Sequence, residues 1–219
     1  MREQFHQVIA IDGPAASGKS SVARELARQL GFVYVNSGAI YRAITWHILQ
    51  KKIDPEESKR IAGAIQSAAI TCRLQGNQSR ILIDNVDPAD HLHDDCVNES
   101  VSRVSQLPVV RQIVAQKLHE HAHSHDLVVE GRDIGSVVFP DTSYKFYIDA
   151  SLQVRLQRRA AQGGRDQIAM RDRADSSRPV SPLVIAKDAL VIDTSNLTIE
   201  GVVNQIIARL KQLGLRIAS

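Results

Sequence analysis

The chain has 219 residues, 43% of them apolar and 23% charged, with a net charge of +3. At roughly 100–200 residues per domain this is one domain with room for insertions, and the composition excludes fibrous, collagen-like and wholly disordered readings. No run approaches the ~18 uninterrupted apolar residues of a membrane span, and the two cysteines, Cys72 and Cys96, are too few for a disulfide framework or a four-ligand metal site.

The opening Met1-Arg2-Glu3-Gln4-Phe5-His6 leads straight into an apolar run with no separate signal-peptide core. With the two cysteines, this sets the expectation of a reducing, cytoplasmic location. Val8-Ile9-Ala10-Ile11 then reads as a buried strand. Gly13-Pro14-Ala15-Ala16-Ser17-Gly18-Lys19-Ser20 matches G-x-x-x-x-G-K-[ST] in full. An amphipathic helix follows through Val22, Ala23, Leu26, Ala27 and Leu30, and Gly31 stands where a left-handed residue ends a helix. In that context the glycines let backbone amides converge on phosphate oxygens, and the helix presents its positive end to them. Lys19 is expected to reach the β- and γ-phosphates and the Ser20 hydroxyl to hold Mg²⁺. Gly13 to Ser21 is thus the expected nucleoside triphosphate-binding loop.

Phe32-Val33-Tyr34-Val35 reads as a second strand, followed by Asn36-Ser37-Gly38-Ala39-Ile40-Tyr41-Arg42 opening a helix. Residues 52 to about 100 break the alternation. A helical stretch there precedes two β-like runs, residues 68–74 and 80–83, around Gly76-Asn77, which suggests a hairpin in an inserted subdomain. Leu127-Val128-Val129 is a third strand ending at Glu130-Gly131-Arg132-Asp133-Ile134-Gly135. Residues 145–148 and 189–192 supply a fourth and a fifth, and Ile199 to Leu213 form a last amphipathic helix that Thr198 caps. Strands alternating with helices predict an α/β fold: a parallel five-stranded sheet of the P-loop NTPase type with flanking helices. The polar segment 161–178, with Gly163-Gly164, reads as a short lid. The expected division is a core of 1–51, 101–160 and 179–219, an insert at about 52–100 and the lid at about 161–178.

The pI near 9.0 raises the question of nucleic acid. Yet residues 158–178 hold six arginines (158, 159, 165, 171, 173, 178) and three aspartates (166, 172, 175), an excess equal to the whole net charge. A local arginine cluster suits a small phosphorylated ligand better than a long polyanion, because guanidinium forks bind phosphate oxygens bidentately. No Asn-Lys-x-Asp guanine reader occurs, which argues against a GTPase, and a motor ordinarily needs a longer chain. A small-molecule kinase needs a second anion site and a lid. In a parallel sheet the loops after the second and third strands emerge beside the phosphate loop, where that second site belongs.

At these residues the sequence resembles the bacterial cytidylate (CMP/dCMP) kinases. The marks are Asp12-Gly13-Pro14, Ser37-Gly38-Ala39-Ile40-Tyr41-Arg42, Gly131-Arg132-Asp133-Ile134-Gly135, Val138-Phe139-Pro140, Arg158-Arg159, Ser181-Pro182-Leu183-Val184, Ile192-Asp193 and Leu197-Thr198-Ile199-Glu200. They run from about residue 7 to residue 210. The resemblance implies transfer of the γ-phosphate of ATP to CMP or dCMP with Mg²⁺ as cofactor. It places 52–100 as a nucleoside monophosphate-binding insert. It also implies Lys19, Arg132 and Arg171 as catalytic cations and Arg158 on the ATP side. Arg42 and Arg132 correspond to clamps on the CMP phosphate, with Tyr41 beside them. Ser37, Asp133 and Arg171 correspond to ribose partners, and Ser102, Arg111, Asp175 and Arg178 to cytosine readers. The bland alternatives are solvated helix residues for Arg42, Arg111 and Ser102, and an internal ion pair for Asp175.

The chain departs from the family pattern at Asn36, where an Asp often stands. Glu130, at the end of an apolar strand, is the candidate replacement on the Mg²⁺ side, against the reading of a structural ion pair. The lid is shorter than is common, and His93 stands where an Arg is often found. His119/His123 and His121/His125 fall at i,i+4, a metal-capable spacing in what also reads as a polar helix end. Trp46 and Cys72 read as packing. No side-chain base is required for a phosphate acceptor, whose second pKa of about 6 leaves it ionised at neutral pH. The competing functions are a P-loop kinase of UMP, AMP or an alcohol, and a nucleotide-dependent RNA-binding or regulatory protein. The expected partners are the two nucleotides alone, with no membrane, no nucleic acid and a monomeric chain.

Overall fold

In the computed structural model the described residues are 6–161 and 168–215, the side chain of Arg171 excepted. Seven strands form one sheet: β1 (Val8–Asp12), β2 (Val33–Asn36), β3 (Ile70–Gln75), β4 (Gln78–Ile83), β5 (Leu127–Gly131), β6 (Tyr144–Asp149) and β7 (Leu190–Asp193), in the order β3-β4-β2-β5-β1-β6-β7. The five strands expected from the sequence are β2-β5-β1-β6-β7, all parallel.

Strands buried on both faces read as continuous apolar runs, and period-2 alternation sorts them into two cores. Val8 and Ala10 of β1, with Leu127 and Val129 of β5, face helices α2 (Ser37–Gln50), α3 (Ser58–Ser67) and α5 (Pro108–Ala122). Ile9 and Ile11 of β1, with Val128 of β5 opposite Ile9, face α1 (Lys19–Leu30) and α8 (Ile199–Gln212). The helix ends follow the expected signals. Gly31 closes α1 at φ 69°, and the Thr198 hydroxyl accepts the Gly201 N–H at the start of α8.

The hairpin β3–β4 forms around Gly76 (φ 61°) and Asn77 as the spacing predicts. It is not detached from the core, however. The Asn77 carbonyl accepts the Tyr34 N–H at 2.7 Å, and Gln78 pairs with Tyr34, so the hairpin continues the main sheet. Helix α4 (Asp95–Val104) runs across the boundary expected at 100/101. Within the expected lid, α6 (Leu152–Ala161) reaches residue 161 and α7 (Ile168–Ser176) forms a second helix. The Gly163-Gly164 pair lies outside the described residues. Among the described residues no helix is long and apolar enough to cross a membrane.

Candidate active site

The carboxyl ends of β1, β2 and β5 open on a cleft of about 650 Å³. One end is the loop between β1 and α1. Gly13 has φ 155°, and a Cβ there would lie 2.1 Å from the Ile148 carbonyl oxygen, so only glycine lets the loop pass β6 this closely. Gly18 enters α1 at φ 93°. Lys19 is 7% exposed and donates to the Pro14 carbonyl at 3.1 Å. Burial, followed by the Arg132 charge, lowers its pKa to about 7. Arg158 closes the other flank, donating to Ser17 O at 3.0 Å and Thr194 O at 2.8 Å.

Glu130 stands at the end of β5, 2% exposed. One carboxylate oxygen accepts the Ser20 hydroxyl at 2.6 Å and the other the Tyr34 hydroxyl at 2.5 Å. The Ser37 hydroxyl donates to the Glu130 carbonyl at 2.7 Å. A hydroxyl and a carboxylate side by side at the head of a phosphate loop are the hard oxygen donors that suit Mg²⁺. Asn36 is used otherwise: its side-chain oxygen caps α2 by accepting the Ala39 N–H at 3.1 Å.

At the opposite end, arginines and aspartates interleave. Asp175, 6% exposed, pairs with Arg132 at 2.7 Å and with Arg178. Asp133 pairs with Arg111, whose guanidinium also donates to Ser105 O at 3.0 Å and lies 5.5 Å from the centre of the Tyr41 ring. Arg42 donates to Leu92 O at 3.1 Å and to Asn98 Oδ1 at 2.7 Å. The Nε of Arg111 and that of Arg178 are buried with no hydrogen-bond partner among the described residues.

The cleft is lined by Ala15, Ala16, Gly18, Lys19, Ser20 and Ser21 from the side of the loop. Ser37, Tyr41, Arg42, Ser102, Arg132, Asp133, Asp175 and Arg178 are among the residues lining the remainder with Glu130, and Arg158 joins them beside the loop. Gly13, Pro14 and Ser17 shape the loop without lining it, and Arg111 stands one layer behind, held by Asp133. The side chain of Arg171 lies outside the described residues. The sequence reading missed three supports. Asp12 accepts the N–H groups of Ile134 and Gly135, both at 2.8 Å, and burial raises its pKa to about 6. Tyr34 holds Glu130. Arg155 donates to Ala15 O at 3.2 Å and pairs with Asp172, whose carboxylate accepts the Ala15 N–H at 3.2 Å. Only Asp12 carried a signal, its place directly before Gly13-Pro14.

Two histidines of the run make structural contacts. The His119 ring lies 2.8 Å from Val138 O and that of His121 2.9 Å from Ser79 Oγ. Among the described residues no three His, Cys, Asp or Glu side chains gather as a metal cluster. Trp46 stacks on His91 at 6.0 Å, as packing.

Residues 9–212 match the family model described as cytidylate kinase. The chain is 40% identical over 209 residues to the cytidylate kinase of Caldanaerobacter subterraneus subsp. tengcongensis, covering 90% of this chain and 92% of that protein. It is 40% identical over 212 residues to the enzyme of Rhodococcus opacus, covering 91% and 93%. With the Oceanobacillus iheyensis enzyme it shares 37% over 210 residues, covering 91% of each. The phosphate loop, the Ser20–Glu130 pair and the arginine-rich opposite end thus occur in a chain that belongs, over nearly its whole length, to the cytidylate kinase family.

Proposed function

We propose that the protein transfers the γ-phosphate of ATP to CMP or dCMP, giving ADP and CDP or dCDP. The observation that carries this is one cleft with two cationic ends. Lys19 and the loop amides stand at one end, and Arg132, Arg178 and Arg42 at the other. Two polyanions must meet there, so the catalytic problem is positioning and charge stabilisation, and no side-chain base is needed.

On this reading residues 13–21 hold the ATP phosphates, with Lys19 against the transferring group and Arg158 on the donor flank. Mg²⁺, when bound, would supply positive charge against the β- and γ-phosphate oxygens, and Ser20 and Glu130 would hold it. Arg42 and Arg132 take the CMP phosphate, Ser37 and Asp133 the ribose, with Arg171 in the lid. Ser102, Asp175 and Arg178 face the base, and Arg111 fixes Asp133 and Tyr41. Asp133 and Asp175 already hold the arginines in place, so the acceptor end is partly preorganised. Residues of the 52–100 insert and of the lid, α7 above all, close on the bound nucleotides and exclude water, which would otherwise hydrolyse ATP. We read the protein as a cytoplasmic monomer.

The test is coupled ADP release with CMP, dCMP, UMP and AMP as acceptors. CMP and dCMP should give the highest kcat/KM. ADP release that ignores the acceptor, or that favours AMP, overturns the reading.

A further inference from the structure

We propose that Tyr34 is a positioning residue for the divalent cation and acts through Glu130. The inference rests on the metal role given to Glu130 above and adds a residue to which neither that reading nor the motifs assign a task.

The placement follows from strand geometry. Tyr34 pairs with Val128 across β2 and β5, and Asn36 pairs with Glu130. Residues two apart on a strand share a face, so Tyr34 and Glu130 are diagonal neighbours on the side of the sheet covered by α1. A tyrosine side chain spans that diagonal. Its ring is packed in the core with Ile9, Ile11 and Val128 and is 4% exposed, while its hydroxyl meets Glu130 Oε1 at 2.5 Å. On α1 the Arg24 guanidinium lies 5.3 Å from the ring centre, one turn beyond Ser20. Ser20 occupies the other oxygen, Oε2, at 2.6 Å.

The two oxygens of Glu130 therefore have different partners. The Ser20 hydroxyl belongs to the loop that meets nucleotide, and its proton can be redirected when a cation arrives. The phenol is fixed by the core and donates its one proton to Oε1. Oε1 is thereby committed to Tyr34, and Oε2 remains beside Ser20 for the cation. Glutamate carries one more rotatable bond than aspartate, and its rotamers must be restricted for the carboxylate to serve as a ligand. The phenol supplies that restriction. Outer partners that fix a ligand in this way typically govern metal affinity by ~10–100-fold.

The experiment compares wild type with Tyr34→Phe, which keeps the ring and removes the hydroxyl, with Glu130→Gln, and with the double variant. The first readout is equilibrium binding of Mn²⁺ in the presence of a non-hydrolysable ATP analogue, followed by electron paramagnetic resonance without turnover. The second is the Mg²⁺ concentration giving half-maximal rate, with the KM for CMP measured in parallel. We expect Tyr34→Phe to weaken Mn²⁺ binding and raise the Mg²⁺ requirement by on the order of tenfold. The KM for CMP should change less than about twofold, and excess Mg²⁺ should restore most of kcat. Adding Tyr34→Phe to Glu130→Gln should cost no further metal affinity, since the partner is already changed. Unchanged metal dependence in Tyr34→Phe, alongside a shift in Glu130→Gln, overturns the role of Tyr34 and leaves that of Glu130 standing. No shift in Glu130→Gln removes the metal role of Glu130 and this inference with it. Fully additive losses in the double variant also refute it, because the phenol would then act by another route.

Discussion

Raising the pH from 7 to 9 should weaken ATP binding through one identifiable group. In the free protein the Lys19 ammonium is buried, with Arg132 adding to the cost of its charge, and its pKa falls from 10.5 to about 7. Phosphates seated in the loop reverse both influences, since an opposite charge in contact favours the protonated amine. The complex therefore holds a proton that the free protein loses above pH 7. At pH 8 ATP binding should take up a substantial part of one proton, and between pH 7 and pH 9 the dissociation constant should rise by about tenfold or more. The nucleotide adds little to this, because terminal phosphates ionise near pH ~6. The same shift acts on folding with the opposite trend. Between about 7 and 10.5 the unfolded chain carries the Lys19 proton and the folded protein does not. In that window this group makes the free protein more stable as pH rises. Calorimetric titration in two buffers of different ionisation enthalpy counts the protons directly. Lys19→Met should abolish the uptake and flatten the pH dependence of whatever ATP binding remains. Uptake near zero in the wild type, or an equal uptake in Lys19→Met, refutes the reasoning.

Three further outcomes follow from particular contacts. Asp175→Asn should lower kcat/KM for CMP more than tenfold and that for UMP much less, because a carboxylate accepts from the cytosine amino group and opposes uracil O4. Asp175 also holds Arg132 and Arg178, so equal losses for the two substrates would show an anchor for those arginines rather than a base reader. Asn36→Ala should cost about 1 kcal/mol in urea unfolding by removing the α2 cap while leaving the Mg²⁺ requirement unchanged; a raised requirement would place Asn36 at the cation. Arg155→Met removes a guanidinium that donates to Ala150 O and Ala15 O and pairs with Asp172. Breaking a buried pair typically costs ~3–5 kcal/mol, so denaturant unfolding should register a loss of at least about 2 kcal/mol, discounted for the partial exposure of Asp172; no loss would remove Arg155 from the support of the loop.

The parts of the fold that follow from chain-local chemistry were legible in the sequence. The apolar runs of β1, β5 and β6, the eight-residue phosphate loop, Gly31 at the end of α1 and Thr198 at the start of α8 each carry their own signal. The hairpin was legible as a hairpin because Gly76-Asn77 separates two β-like runs. Its attachment to the sheet was not, since it depends on Tyr34 meeting Asn77 and Gln78 across more than forty residues of chain and no local pattern encodes that. Helix α7 was hidden because Arg171, Asp172, Arg173 and Asp175 leave no apolar stripe; Ile168 is the core residue it contributes. In the site, residue types were legible and pairings were not. Arg111, Asp133, Asp175 and Arg178 all stood out, but only the folded chain brings Arg111 to Asp133 across 22 positions and Arg132 to Asp175 across 43. Tyr34 read as a strand residue because all of such a side chain but its hydroxyl is hydrocarbon, and that hydroxyl acquires a task only where β5 places Glu130 beside it.

On the proposed reading a phosphoryl group passes from ATP to CMP within one cleft, between Lys19 and Arg132. Incubation with ATP labelled in the γ-phosphate, with and without CMP, tests it by the position of the label. Label should appear in the β-phosphate of CDP when CMP is present, with little label in inorganic phosphate in either case. Label released as inorganic phosphate at a rate indifferent to CMP, or retained on the protein, would contradict it.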